Sequence, residues 1–409
     1  MDQLRKDAER IVHAGIKAVM PDAAVKKALR SLPDIRGRLI LVAAGKAAWQ
    51  MAKAATDIVD PDRGIVITKY DHVKGELPGI ICREAGHPVP DHNGFEATRE
   101  AIDMVSRLNK DDLVLFLLSG GGSALFEDPL VSGEELKDIT QQLLDSGADI
   151  IEINTMRKRL SRVKGGRFAE ICSPAQVFTI VLSDIIGDPL DMIASGPAFP
   201  DSTSCRDAIS VLEKYNLNLS DHARALLYRE TPKRLDNVTT LVTGSVTELC
   251  RAVSSECEKM GYRPVLLTEK LDCEAREAGQ MLGNYAARFS GKGEKTAFIA
   301  GGETVVHITG RGKGGRNQET ALAAAPLIAG MNAAVFSFGS DGTDGPTDAA
   351  GGFVDGNSMN DLKNIGINIT KTLSDNDSYH ALKSIGGLII TGPTGTNVND
   401  AAVALVSGE

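Results

Sequence analysis

The stretch Leu113-Val-Leu-Phe-Leu-Leu118-Ser119-Gly120-Gly121-Gly122-Ser123 runs six apolar residues straight into a loop nearly devoid of side chains. Such a run reads as a buried strand of a parallel sheet, and in open α/β folds ligands gather where those strands end. Three consecutive glycines free the backbone to take positive φ and to expose N–H groups, with the hydroxyls of Ser119 and Ser123 at either end. The loop can therefore wrap an anionic group such as phosphate. The same residues would also make a tight strand-to-helix turn with no ligand.

Outward from this stretch the pattern repeats. Strand-like runs at 39–43, 64–68, 113–118 and 177–182 alternate with helix-like segments at 47–59, 94–108 and 133–144, which implies βαβ units with helices on both faces of a sheet. Beyond a Thr231-Pro232 break the alternation resumes at 239–243, 264–267, 296–300, 304–309, 334–338 and 388–391. At 409 residues the chain exceeds one hydrophobic core. We expect an α/β protein of two domains, 1–235 and 236–409, each a sheet layered with helices, with the active site in the cleft between them. The second domain is glycine-rich: 13 of the 56 residues from 301 to 356 are glycine, well above the usual share of about 7%.

Composition narrows the chemistry. Aromatic residues at 4% suit Ala/Val/Ile/Leu-filled layers, and the net charge of −9 argues against nucleic acid or an anionic membrane as partner. An anionic substrate must then be held by locally placed Lys and Arg. The six cysteines form no C-x-x-C pair and read as reduced thiols. Residues 1–20 have the spacing of an amphipathic helix, and no apolar run reaches the roughly 18 residues that span a bilayer. A cytoplasmic protein, monomer or homodimer, is the expectation.

Several stretches can carry chemistry. A strand, the Gly45 turn and a helix start put Lys46 where an anion is favoured, which makes it a phosphate-binding candidate. It is not a Walker A loop, because positions 40 and 47 are Ile and Ala. Asp184 and Asp188 lie at and just past the end of a strand, placed to accept a hydroxyl proton or to bind Mg²⁺ through water, or else to serve in turns. Within residues 154–167, six basic side chains fall in the eleven positions from 157 to 167. Most read as a solvated face, with Lys164 the one expected to turn inward toward a carboxylate or phosphate. Gly310, Gly312 and Gly315 formally satisfy G-x-G-x-x-G, which raises a dinucleotide site. Lys313 and Arg316 in that loop suit a transferring phosphoryl group better, and Arg316 can clamp its oxygens bidentately. Asp341 and Asp344 follow a further strand and are candidate ligands of a Mg²⁺–nucleotide, although Asp-Gly turns are common without metal.

Taken together these stretches resemble the glycerate 2-kinase family of the MOFRL type. The matching residues are Gly45-Lys46, the 119–123 loop, 154–166, Ser183-Asp184 to Ser195-Gly196-Pro197, 301–303, 314–319, 341–345 and 391–397. The resemblance implies ATP- and Mg²⁺-dependent phosphorylation of D-glycerate to 2-phosphoglycerate, with catalysis by a lysine and an arginine that fall at Lys46 and Arg316. Asp184 is expected to orient or deprotonate the acceptor hydroxyl. Substrate and phosphate contacts are expected from Gly45, Ser119, Gly120, Gly121, Gly122, Ser123, Asn154, Lys164, Asp188, Glu303 and Asn317. Some relatives have carried a hydroxypyruvate reductase label, so an NAD(P)H-dependent reductase stays open, as does phosphorylation of the 3-hydroxyl.

Overall fold

The computed structural model describes residues 2–183 and 190–408, and the chain forms two compact units. Among the described residues, one unit holds 24–183 and 190–243, and the other holds 2–23 and 244–408. These ranges depart from 1–235 and 236–409 at both edges. The first helix, Asp2–Ala18, buries Ile11, Val12 and Ile16 in one core with Val246, Leu249 and Phe338, so it belongs to the unit formed by the end of the chain. The last strand of the other unit, at 238–242, lies beyond the expected boundary. Among the described residues no helix is long and apolar enough to cross a membrane.

The first unit is built on six strands: β1 Leu39–Ala44, β2 Arg63–Lys69, β3 Ile80–Ala85, β4 Leu113–Leu118, β5 Gln176–Val181 and β6 Val238–Val242. Their order is β3-β2-β1-β4-β5-β6 and every pairing is parallel. Helices fill the crossovers, as His92–Val105 does between β3 and β4. β1 and β4 are buried along their whole length, which explains their unbroken apolar runs. The strand order reverses between these two central strands. The loops after β1 and β4 therefore flank the crevice where open α/β sheets take their ligands.

The second unit has β7 Arg263–Leu271, β8 Thr296–Gly302, β9 Ala333–Gly339, β10 Gly351–Asp355, β11 Leu388–Ile389 and β12 Asp400–Val406, ordered β11-β10-β9-β12-β8-β7. Only β7 and β8 run parallel; β12 sits antiparallel between β8 and β9. The expected strand at 304–309 does not form. Its apolar side chains Val305 and Ile308 point outward, and its sole ladder contact is an isolated bridge from Val305 to Glu274.

Candidate functional site

In the first unit the turns after β1 and β4 are laced together. Lys46 N–H donates to the Gly120 carbonyl at 2.9 Å, Ala47 N–H to Ser119 Oγ at 3.1 Å, and Ser119 N–H to the Ala44 carbonyl at 3.0 Å. Gly45 is obligatory here: its φ is 124°, and a Cβ would fall 2.2 Å from Ser119 Oγ. The N–H groups of residues 46 to 48 are all used within the chain, and in the first turn of helix Ala48–Thr56 those of Trp49 and Gln50 have no acceptor among the described residues. More free donors are in the other turn. Among the described residues the N–H groups of Gly120, Gly121 and Ser123 have no acceptor, and all three residues are only partly covered. The Lys46 side chain lies over this turn, with Cγ 3.1 Å from where a Gly121 Cβ would stand, and its ammonium pairs with no carboxylate among the described residues. His87 borders the same spot, its pKa lowered by burial and by the nearby Lys46 charge.

Asn154 and Lys164 stand behind this turn rather than in it. Lys164 is fully buried and donates to the carbonyls of Ser123 at 2.9 Å and Phe126 at 3.0 Å, with the Glu127 carboxylate at 3.2 Å. Burial pushes its pKa down against the pull of Glu127. An ammonium has three donors and all three are taken, so Lys164 fixes the backbone of the turn and has none left for a ligand. Asn154 Oδ1 accepts from Ser195 Oγ at 2.8 Å, which in turn stands 3.5 Å from Ser123 Oγ. The basic run is no solvated face. Lys158 and Arg159 are completely buried against Asp201, and Arg167 caps the carbonyls of 158, 159 and 161 at the end of helix Ile150–Leu160. Arg162 alone remains half exposed, beside Asp128.

The second unit gathers Arg316, Glu303, Asn317 and Asp344. Arg316 opens helix Arg316–Ala324, and its guanidinium meets Asp400 at 2.5 and 3.1 Å and Glu303 at 2.8 Å. Burial opposes its charge, but Asp400 and Glu303 outweigh that and raise its pKa. Burial likewise raises Asp400, to about 6, against the pull of the guanidinium. Of five guanidinium donors, three are engaged and two remain for a ligand. Asn317 is buried, accepting from Ser337 and donating toward Asp344 and Asp400, so its amide braces the pair instead of facing a substrate. Asp400 has no local sequence motif to announce it; only its place at the start of β12 brings it to Arg316.

Asp344 takes N–H bonds from Asn317 at 3.1 Å and Gln318 at 2.9 Å, plus the Gln318 side chain at 2.9 Å. That is the duty of a helix cap, and no group of three metal-ligating side chains occurs among the described residues. Asp341 is separate, accepting from Thr343 N–H within its own turn at 2.9 Å. The first four residues of the G-x-G-x-x-G stretch are spent on the chain itself: Gly310 N–H donates to Asn376, Arg311 to Asp375, Gly312 to the Asp375 carbonyl and Lys313 to Asp377. No N–H from Gly310 to Lys313 is left for a pyrophosphate. Asp184 and Asp188 lie outside the described residues.

Residues 7–228 match a domain of unknown function, DUF4147, and residues 296–400 match the MOFRL family. A D-glycerate 2-kinase of Thermotoga maritima is 50% identical, covering 99% of both chains, and a glycerate 2-kinase of Pyrococcus horikoshii is 40% identical over 99% of this chain and 98% of its own. The crystal structure of a glycerate kinase from Thermotoga maritima superposes with a TM-score of 0.96 at 50% identity over 100% of each chain.

Proposed function

The chain belongs to the glycerate 2-kinase family of the MOFRL type and is a kinase that phosphorylates glycerate, and from that premise we propose a mechanism in which ATP is the donor and the 2-hydroxyl of D-glycerate the acceptor. The observation that carries it is the turn after β4. Three N–H groups and an ammonium that find no acceptor or carboxylate among the described residues sit at the reversal of a parallel sheet, a set of donors suited to phosphoryl oxygens.

Phosphoryl transfer passes through a loose transition state with charge spread over the phosphoryl oxygens, so cations and N–H donors do most of the work. The acceptor oxygen forms a bond to the γ-phosphorus as the bond from phosphorus to the β,γ-bridging oxygen breaks. ADP leaves with that electron pair, and the hydroxyl proton passes to a base, a role the sequence assigns to Asp184. Lys46 serves phosphoryl oxygens as a mobile point charge, and Arg316 offers them its two uncommitted donors. Ser119 and Ser123 hold phosphate or the acceptor carboxylate. Mg²⁺, when bound with the nucleotide, would neutralise charge on its phosphates; of the candidate ligands Asp344 is committed to its helix. The reading includes a cytoplasmic enzyme of small molecules.

The reductase alternative rests on the 310–315 loop, in which the N–H groups of Gly310 to Lys313 are already consumed. A single assay decides the product. Incubation with ATP, Mg²⁺ and D-glycerate should release ADP, and the product should be converted by enolase alone. A requirement for phosphoglycerate mutase would mean transfer to the 3-hydroxyl, and NAD(P)H oxidation with hydroxypyruvate would revive the reductase.

A further inference from the structure

Beside the glycine turn of the first unit lies a cavity of about 480 Å³. Gly121 and Ser123 form one end of it, and their N–H groups are among those without acceptors. One wall is helix Gly133–Asp145, which presents Leu136, Thr140, Gln141 and Leu144, a single helical face. Val89 and Ile150 complete an apolar mouth. Leu144 and Ile150 are each more than half exposed, which is costly for side chains of that size unless something covers them. Arg157 lines the same cavity. Its guanidinium is largely buried, yet it has no hydrogen bond or ion pair among the described residues, and the one carboxylate close enough to act on it, Glu127, is engaged by Lys164. A buried cation without a partner is costly, and a bound anion removes that cost.

A three-carbon hydroxy acid has no apolar face and too few atoms to fill such a space. Cavities of several hundred Å³ with apolar walls and a few polar groups take ligands of nucleoside size. The charge agrees. In the second unit the cavity of about 620 Å³ around Arg316 is bordered by the carboxylates of Glu303, Glu319 and Asp344, a setting that suits one transferring phosphoryl group at Arg316 better than the whole donor nucleotide.

We propose that the first-unit cavity is the donor-nucleoside site: the base lies against the Leu136–Leu144 face and the Val89–Ile150 mouth, and Arg157 holds an oxygen of the α- or β-phosphate. The chain of phosphates then runs along the N–H groups of Gly121 and Ser123 toward Lys46. Gln141 and Thr140 are the polar groups within reach of the base edge. This assignment rests on the kinase reading and adds to it which unit binds the donor, and through which residues.

The test uses the full chain and reads nucleotide binding apart from catalysis. ADP binding is measured calorimetrically without glycerate, and KM is measured separately for ATP and for D-glycerate. Arg157→Ala and Thr140→Trp, which fills the cavity, should each weaken ADP binding and raise KM for ATP about tenfold or more, while KM for D-glycerate stays within about twofold. Arg157→Lys should recover part of the loss. Thermal melting of each variant checks that it folds. A rise in KM for D-glycerate with ADP binding unchanged would overturn the proposal and give the cavity to the acceptor. Unchanged values for both substrates in the two variants would overturn it outright. A chain that binds ADP through Arg157 yet phosphorylates no glycerate would retain this site while the proposed reaction fails.

Discussion

Lys46 and Arg316 are the two cations on which the proposed chemistry rests, and their surroundings are opposite. Lys46 follows a fully buried parallel strand, lies across a turn of unsatisfied N–H groups, and has no carboxylate partner among the described residues. Arg316 starts a helix and is held by Asp400 and Glu303 before any ligand arrives. One cation is left for the ligand to complete; the other is set in place by its own fold. A pre-oriented guanidinium reaches the transition state with little reorganisation, whereas a free ammonium can follow a migrating phosphoryl group. The contrast also separates activity from stability, because removing a partnered charge exposes its partner.

The largest effect should come from Arg316→Ala. It takes away a phosphoryl clamp and strands the buried Asp400 carboxylate, so turnover should fall roughly 1000-fold and stability by about 3 kcal/mol. Steady-state assays together with denaturant midpoints measure both. A variant that melts like the wild type would mean Asp400 does not depend on Arg316, and the contrast would break.

Lys46→Ala should cost a similar factor in turnover, roughly 1000-fold, but leave stability within about 0.5 kcal/mol, since no buried group relies on it. Turnover near the wild-type rate would remove Lys46 from the mechanism. A clear loss of stability with turnover retained would reassign it to structure.

The third effect is pH-dependent and belongs to Asp400 alone. Its carboxyl lies at about 6 in the folded protein, against roughly 3.9 in an unfolded chain. The folded state therefore binds the proton more tightly. The group's penalty of about 3 kcal/mol is complete above pH 6 and fades as the pH falls from about 6 to about 4. Over the same interval its grip on Arg316 weakens, so turnover should drop on the acid side while this contribution to stability rises. In Asp400→Asn the acid limb near pH 6 should vanish, with turnover low throughout. An acid limb unchanged in that variant would assign the titration elsewhere.

How far the sequence revealed these two environments follows from where their partners lie. The turn after β4 was readable because its parts are contiguous: an apolar run, three glycines and two hydroxyls need no distant residue to be recognised. Arg316 was readable as a cation in a glycine-rich loop, but Asp400 is 84 positions away and meets it only because β12 inserts between β8 and β9. That strand went unrecognised, as did β10, which opens on two glycines and looks like a turn. The Lys158–Arg159 pair was misjudged for a related reason, whereas Lys164 does turn inward, to the Glu127 carboxylate. Basic residues at close spacing suggest a wet face, and only the fold brings Glu127 and Asp201 inward to meet them. Spacing alone does not say where the N–H groups of the G-x-G-x-x-G stretch point, and here those of Gly310 to Lys313 serve residues 375–377.

The smallest effects come from two glycines, one in each environment, and they test whether one site is tight and the other yielding. At Gly315 a Cβ would stand 2.2 Å from Cγ of the buried Asp344, which caps the helix bearing Arg316. Nothing there can move without giving up the cap, so Gly315→Ala should cost about 2 kcal/mol. At Gly121 φ is 85°, and a Cβ would meet His87 Cδ2 at 3.0 Å and Lys46 Cγ at 3.1 Å. A lysine side chain can swing aside, so Gly121→Ala should cost only the backbone term of about 1 kcal/mol. The displaced ammonium should nonetheless lower turnover several-fold. If Gly121→Ala proves the more destabilising of the two, the turn after β4 is as tightly built as the Arg316 cluster, and the idea of a site left open for its ligand does not survive.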